Sequence, residues 1–310
     1  MELIVTIDTE PDCDTAWRRS VPLAFSSVTE GIPLLLRPLW DRYSVRPLYF
    51  VSPEVARDDD CCRVLAQERD KGAVIGSHLH SEFIEPGIAQ PAEGIISAEF
   101  PCYAHGFETE KAKIKNLTDL IESRIGVRPT WYRAARFGAD IDTIRILAEL
   151  GYRYDSSVTP GINWSRIGGP DHRRAPIQPY WVDPQDLYRP ASSEQDSIGI
   201  KEYPVTIAGK RFGVFGNILP DHWLLYRWLR PTHMTVIEQK QMVRRIATSE
   251  TSPTLVLMFH SMEVMIGKTP FVRNRWMQKR FLNNLEMVIS FITSIGGDAS
   301  SWHHSALTSH

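Results

Sequence analysis

The sequence predicts an α/β chain, a distorted (β/α) barrel of about seven strands carrying a loop-rich insertion. Short β-branched or aromatic runs alternate with helical patterns, the order expected of β/α units around a mainly parallel sheet. Reactive side chains recur at the C-terminal ends of those runs, where such barrels build their sites. Those side chains also come from both ends of the 310 residues, Asp8 near the start and His260 near the close, so two independent domains would divide the site between them. Residues 1–310 are therefore expected to form one barrel domain, with an insertion at about 160–211 and a frayed tail at about 298–310.

The elements follow in order. Leu3–Ile7, Pro47–Val51, Ala73–Gly76, Thr130–Arg133 and Tyr152–Tyr154 read as the first five strands, and Ile200–Val205 and Thr254–Phe259 as the last two. Between them, Ile114, Leu117, Leu120, Ile121 and Ile125 recur at helical spacing before Gly126. Asp140 has the side chain of a helix N-cap for Ile141, Ile144, Leu147 and Leu150. Leu285, Val288, Ile289, Ile292 and Ile295 form an apolar stripe that Gly296 and Gly297 should terminate. From Pro160 to Arg211 helical periodicity disappears, but Trp164, Tyr180, Trp181 and Tyr188 supply anchors that a flexible linker does not need, so an ordered segment over one barrel face is expected.

Composition narrows the function. Hydrophobic residues at 43% and charged residues at 23% match globular averages and exclude a disordered or fibrous chain. Thirty-five Lys and Arg against 37 Asp and Glu leave a net charge of −2, without the positive field that nucleic-acid binding requires. Residues 1–7 have neither the basic flank nor the apolar core of a leader, and no run is long enough for a membrane span, so a cytoplasmic chain is expected. Cys13, Cys61, Cys62 and Cys102 lack paired C-x-x-C spacing, which argues against a disulfide framework. Nothing in the sequence sets an oligomeric state.

Four groups of residues carry the candidate chemistry. His78 and His80, at i and i+2 on an extended segment, point to the same side and can converge on one cation, with Glu10 or Asp8 completing a three-ligand site. Glu82 could reach the same cation if the chain turns after His78. Asp8 and Glu10 can divide their labour, one binding metal while the other takes a proton from water, although Asp12 and Asp14 lie close by. Arg133 and Arg136 follow the fourth strand, suited to holding a catalytic carboxylate and an anionic or hydroxyl-rich substrate. His260, delivered from a buried strand, suits protonation of a leaving amine, because histidine titrates near neutrality. Asp155 is the candidate partner that tunes it.

Together these motifs resemble the polysaccharide deacetylase (NodB-like) family, also called carbohydrate esterase family four. Thr6-Ile7-Asp8-Thr9-Glu10 is similar to its first motif, Gly76-Ser77-His78-Leu79-His80-Ser81 to the second, Tyr132-Arg133-Ala134-Ala135-Arg136-Phe137-Gly138 to the third, Tyr154-Asp155-Ser156-Ser157 to the fourth and Leu257-Met258-Phe259-His260-Ser261 to the fifth. The resemblance implies hydrolysis of an N-acetyl group on a carbohydrate, with a divalent metal, most simply zinc, held by Glu10, His78 and His80. Asp8 would be the base, Arg133 its orienting partner and His260 the acid. Two departures stand out: Thr9 separates acids that are adjacent in the commonest first motif, and Glu82 occupies the place of the usual second histidine, so His80 and Glu82 both remain candidates for the third ligand. Arg136, Asp155, Trp164 and Trp181 are the expected substrate contacts, the aromatic ones through stacking on sugar rings. An allantoinase-like amide hydrolase and a catalytically silent carbohydrate-binding protein are the alternatives on the same barrel.

Overall fold

The computed structural model describes residues 1–88, 99–210 and 226–300. Its strands are β1 (Glu2–Thr9), β2 (Leu48–Val51), β3 (Val74–Leu79), β4 (Trp131–Ala134), β5 (Tyr154–Asp155), β6 (Tyr180–Asp183), β7 (Asp186–Pro190), β8 (Lys201–Glu202), β9 (Ile207–Lys210), β10 (Tyr226–Trp228) and β11 (Thr254–His260). They form a curled nine-stranded sheet in the order β11-β1-β2-β3-β4-β5-β8-β6-β7 and a separate pair, β10-β9. The run from β11 to β8 is parallel throughout, and its seven strands lie where the sequence places them.

The total is nine rather than seven because part of the 160–211 insertion is itself sheet. Strand β6 pairs antiparallel with β8, and β7 with β6. Tyr180, Val182 and Leu187 are buried while Trp181 and Asp183 are half exposed, the alternation of a half-buried hairpin. Flanking Pro, Asp and Gln residues obscure that period in the sequence. The sheet stays open between β8 and β11, where irregular backbone bridges the gap: Thr206 N donates to Val256 O (3.1 Å), Leu229 N to Thr206 O (2.8 Å) and Met258 N to Leu229 O (3.2 Å).

Helices α1 (Arg37–Tyr43), α2 (Pro53–Arg57), α3 (Asp59–Asp70), α4 (Pro101–Ala104), α5 (Phe107–Ile125), α6 (Ile141–Glu149), α7 (Val236–Ser249) and α8 (Arg275–Ser294) form the outer layer, together with a wide helical stretch, Ser27–Leu36. Asp140 caps α6, accepting from the backbone N–H groups of Asp142 and Thr143 in a capping box. In α8 Leu285, Val288, Ile289 and Ile292 are buried, but Ile295 is 42% exposed; it is the C-cap, where the chain turns away from the core before Gly296 at φ +81°. The tail does not fray at 298, since Leu3 N donates to Asp298 O (2.8 Å) and Asp298 N to Met1 O (3.1 Å). Residues 301–310, including His303 and His304, lie outside the described residues. No helix among the described residues is long and apolar enough to cross a membrane.

Strand alternation builds the barrel in layers. Leu3, Val5 and Ile7 face the helices within the main core, while Ile4 joins Leu48, Phe50, Trp131, Tyr154, Tyr203 and Val256 in a plug inside the barrel. Thr6 and Asp8 continue the inward row of β1, Arg133 that of β4, His78 and His80 that of β3, and His260 that of β11. The polar layer therefore stands directly on the aromatic plug, and the Arg133 guanidinium lies 4.4 Å from the Phe50 ring centroid. A side chain at Gly76 would sit 2.8 Å from Phe50 and 3.0 Å from Trp131 O, so only glycine lets β3 approach this plug.

Candidate active site

Parallel register sets the first contacts. Asp8 stands beside His260 across β1 and β11, and His78 beside Arg133 across β3 and β4. Glu10, half-buried just past β1, turns its carboxylate toward both histidines of β3: Oε1 is 3.1 Å from His78 Nε2 and 3.5 Å from His80 Nε2. The ligand atoms of Glu10, His78 and His80 all lie within 4.8 Å of one another.

The imidazoles are oriented from behind. His78 Nδ1 meets Arg133 O at 2.9 Å; a carbonyl only accepts, so Nδ1 carries the hydrogen. In the neutral ring the Nε2 lone pair then faces a carboxylate oxygen, a repulsion that a cation between them removes. His80 Nδ1 meets Glu54 Oε1 at 2.9 Å, the carboxylate–histidine arrangement that prepares Nε2 as a metal ligand. Burial pulls His80 down, but Glu54 and Glu10 carry it up to about 10; the pocket therefore favours positive charge among these groups. Burial likewise pushes Glu54 up, while His80 and Arg19, whose Nη1 pairs with it, bring it down to about 2. One carboxylate and two imidazoles in this geometry fit a divalent cation such as zinc.

Glu82 is elsewhere. Its Oε1 accepts from Glu99 N (2.9 Å), because the single helical turn Ser81–Phe83 swings it off the inward row of β3. Asp12 and Asp14 are engaged too: Asp12 accepts from Ser26 N (2.8 Å) and Ser27 N (3.1 Å), and Asp14 from Ala16 N and Arg18 N.

Asp8 is almost wholly enclosed. Its Oδ1 accepts from Arg133 Nη1 (2.7 Å), and its Oδ2 is 3.9 Å from His260 Nε2. Burial pushes its carboxyl up, but Arg133, with His78 and His260, outweighs this and keeps it below the ordinary value. Arg133 is fully buried and rigidly held, donating also to Thr6 Oγ1 (3.0 Å), Ser156 O (2.8 Å) and Ser156 Oγ (2.7 Å).

His260 does not meet Asp155. Its Nδ1 is held between Glu263 Oε1 (3.1 Å) and Arg230 Nη2 (2.9 Å), which leaves Nε2 facing Asp8 and Glu10. Glu263 is fully buried, and Arg230 and Thr232 Oγ1 both donate to it. Burial pushes its carboxyl up, yet Arg230 and His260 hold it well below the usual range. Asp155 lies one strand beyond Arg133, accepting from Ser157 Oγ (2.6 Å) beside the buried Glu202, whose carboxyl burial and Asp155 together push far up.

A chamber of about 120 Å³ joins Asp8, Glu10, His78, His80 and His260, and Arg136 lines it. Trp164 lies further out, on an adjoining cleft of about 450 Å³. Trp181 lines neither; it sits on hairpin strand β6, with Lys201 Nζ 5.7 Å from its ring centroid. Sequence reasoning missed Glu54, Arg19, Glu263 and Arg230. Glu263 alone carried a signal, three residues beyond His260 on the helical turn that follows β11.

No protein-family model matches the sequence, and no curated protein aligns with it. Among solved structures, the "putative glycoside hydrolase/deacetylase" of Parabacteroides distasonis superimposes with a TM-score of 0.64 at 12% identity, covering 100% of this chain and 72% of that one. A GH57 branching enzyme of Thermococcus kodakaraensis follows with a TM-score of 0.54 at 11% identity, covering 100% and 71%. A "putative polysaccharide deacetylase" of Mycobacterium smegmatis aligns with a TM-score of 0.49 at 16% identity, covering 98% and 92%. The likeness is one of fold: the chain shares the curled, open α/β barrel architecture of the first two of these structures.

Proposed function

We propose that the chain is a metal-dependent hydrolase of the polysaccharide deacetylase kind, removing N-acetyl groups from a carbohydrate, whether polysaccharide, oligosaccharide or linked sugar precursor. The observation that carries this reading is the meeting, around one small chamber, of a Glu10–His78–His80 donor trio with a buried Asp8–Arg133 pair and the His260–Glu263 pair. A divalent cation on the trio, most simply zinc, would supply Lewis acidity toward the acetyl carbonyl and toward water.

The chain's own groups do the rest. Arg133 occupies Asp8 Oδ1 and keeps the carboxylate ionised, so Oδ2 is the oxygen that receives the proton of the attacking water. Thr6 and Ser156 hold the guanidinium still, and the Phe50 ring beneath it keeps water out. Beside Asp8, His260 Nε2 gives its proton to the departing amine; Nδ1–H donates to Glu263, whose carboxylate Arg230 holds in place. The products are acetate and an amino sugar.

The test is acetate release from N-acetylated chitooligosaccharides by the zinc-supplemented protein. Asp8→Asn and His260→Gln should each lower kcat by about a thousandfold or more. No acetate from any acetamido sugar, with metal bound and the protein folded, would sink the proposal.

A further inference from the structure

The passage from the catalytic chamber to the 450 Å³ cleft is built from four residues, Trp17, Arg136, Phe137 and His260, which line both spaces. Three of them, Trp17 (φ 63°), Arg136 (φ 54°) and Phe137 (φ 60°), adopt left-handed backbone. Bulky residues rarely do so, and such strain concentrates at sites that bind or react. The only other non-glycine residue with positive φ among the described residues is Ser44, at a helix C-cap where that conformation is ordinary.

The strain presents specific chemistry. Phe137 stacks on Trp164 with an interplanar angle of 15°, and Trp17 meets both His260 and Phe271 edge-on at 5.6 Å. These rings and Trp228 give the cleft an overwhelmingly apolar wall, and its volume is in the ~300–1,000 Å³ range that encloses a drug-sized ligand. The cleft is several times larger than the chamber, where an acetyl group would react, so its occupant is another part of the substrate. Arg136, Arg230 and His260 interrupt this wall; Arg230 is already paired with the Glu263 carboxylate and turned to His260, which leaves Arg136 as the cation available to a ligand. It lies over the Phe100 ring at 4.8 Å, and its Nε is enclosed without a hydrogen-bond partner among the described residues. The carboxylate that acts on it electrostatically, Glu82, is bonded to Glu99 N. A guanidinium whose Nε has no hydrogen-bond partner among the described residues, at the mouth of an apolar cleft, suits an oxyanion joined to a hydrocarbon.

We infer that the cleft binds the leaving-amine half of the substrate, and that this half carries an oxyanion, held by Arg136, followed by a hydrocarbon group seated among Trp17, Phe137, Trp164 and Trp228. Placing the amine half here rests on reading His260 as the proton donor, since His260 stands at this passage. A nucleoside beyond the anion fits less well, because its ring nitrogens and hydroxyls would find few partners on this wall.

Calorimetric titration of the full chain tests this independently of catalysis. Octyl phosphate, below its micelle concentration, should bind at least about tenfold more tightly than inorganic phosphate and than octyl β-glucoside. Nonanoate, with a similar tail and a carboxylate head, shows which oxyanion is preferred. Arg136→Gln should remove the advantage of octyl phosphate over octyl glucoside while leaving the glucoside unchanged, and Arg136→Lys should restore part of it. Trp164→Ala should weaken both tailed probes. Octyl phosphate binding no tighter than octyl glucoside would overturn the inference, as would an advantage that survives Arg136→Gln, or uridine monophosphate binding as tightly as octyl phosphate. Acetate release without the octyl phosphate advantage would refute this inference alone; the advantage without acetate release would refute the proposed function and the amine-half placement that rests on it, while the oxyanion-and-tail site would stand.

Discussion

Glu263 and Glu54 each fix a histidine from the side away from the chamber, and each is nearly or fully buried. Replacing Glu263 by Gln keeps the shape but removes the charge opposite Arg230 and His260, so kcat should fall by about 10- to 100-fold with little change in KM; steady-state kinetics with a deacetylated-product assay checks it. Glu110 provides a separate prediction, remote from the chamber. Burial pushes its carboxyl up to about 7, despite a hydrogen bond from Thr143 Oγ1 (2.7 Å). The folded state therefore binds more protons than the unfolded one between about pH 4.5 and 7, and Glu110 makes stability fall as pH rises through that window. Glu110→Gln should leave stability unchanged near pH 4 and raise it at pH 8 by on the order of 2 kcal/mol, as read by urea unfolding. Of the chamber's groups, those on the inward rows of strands, Asp8, His78, His80, Arg133 and His260, are legible in the sequence because spacing by two residues encodes one face. Glu54, Arg19 and Arg230 are not, since they arrive from a short helix and irregular loops whose approach depends on tertiary packing.

Among the elements, β3 shows how tightly the polar layer is tied to the plug beneath it. Gly76→Ala would press a methyl group onto Phe50 and the Trp131 carbonyl, and Phe50 is the floor under Arg133. The variant should lose about 1–3 kcal/mol of stability, and its kcat should drop further than its folded fraction explains; thermal unfolding and kinetics on the same sample separate the two. The Asp140 carboxylate accepts from the Thr143 N–H in the capping box on α6, while Thr143 Oγ1 accepts from the Asp140 N–H, so Asp140→Ala should cost about 1 kcal/mol without affecting the chamber. The long periodic elements, α5, α6, α8 and the seven parallel strands, can be read directly because each repeats its pattern over several turns or stands between clear breaks. The β6–β7 hairpin cannot, since two short strands joined through Pro184 and Gln185 offer too few alternations to distinguish sheet from loop.

For the whole molecule, the ligand trio joins β1 to β3, so a cation held there should stabilise the folded state without stabilising the unfolded one. Chelator treatment should lower the melting temperature, and added zinc should raise it again in a concentration-dependent way, with Glu10→Gln abolishing the response; differential scanning calorimetry decides. Strand β1, next to the β11 edge of the sheet, pairs on one side with β2 and on the other with β11, the last strand of the described chain. During synthesis that second edge of β1 stays unpaired until nearly all of the barrel has emerged, and Asp8 has no His260 beside it until then. On the proposed mechanism incomplete chains would be chemically idle, and the long-unpaired edge is where misassembly would begin.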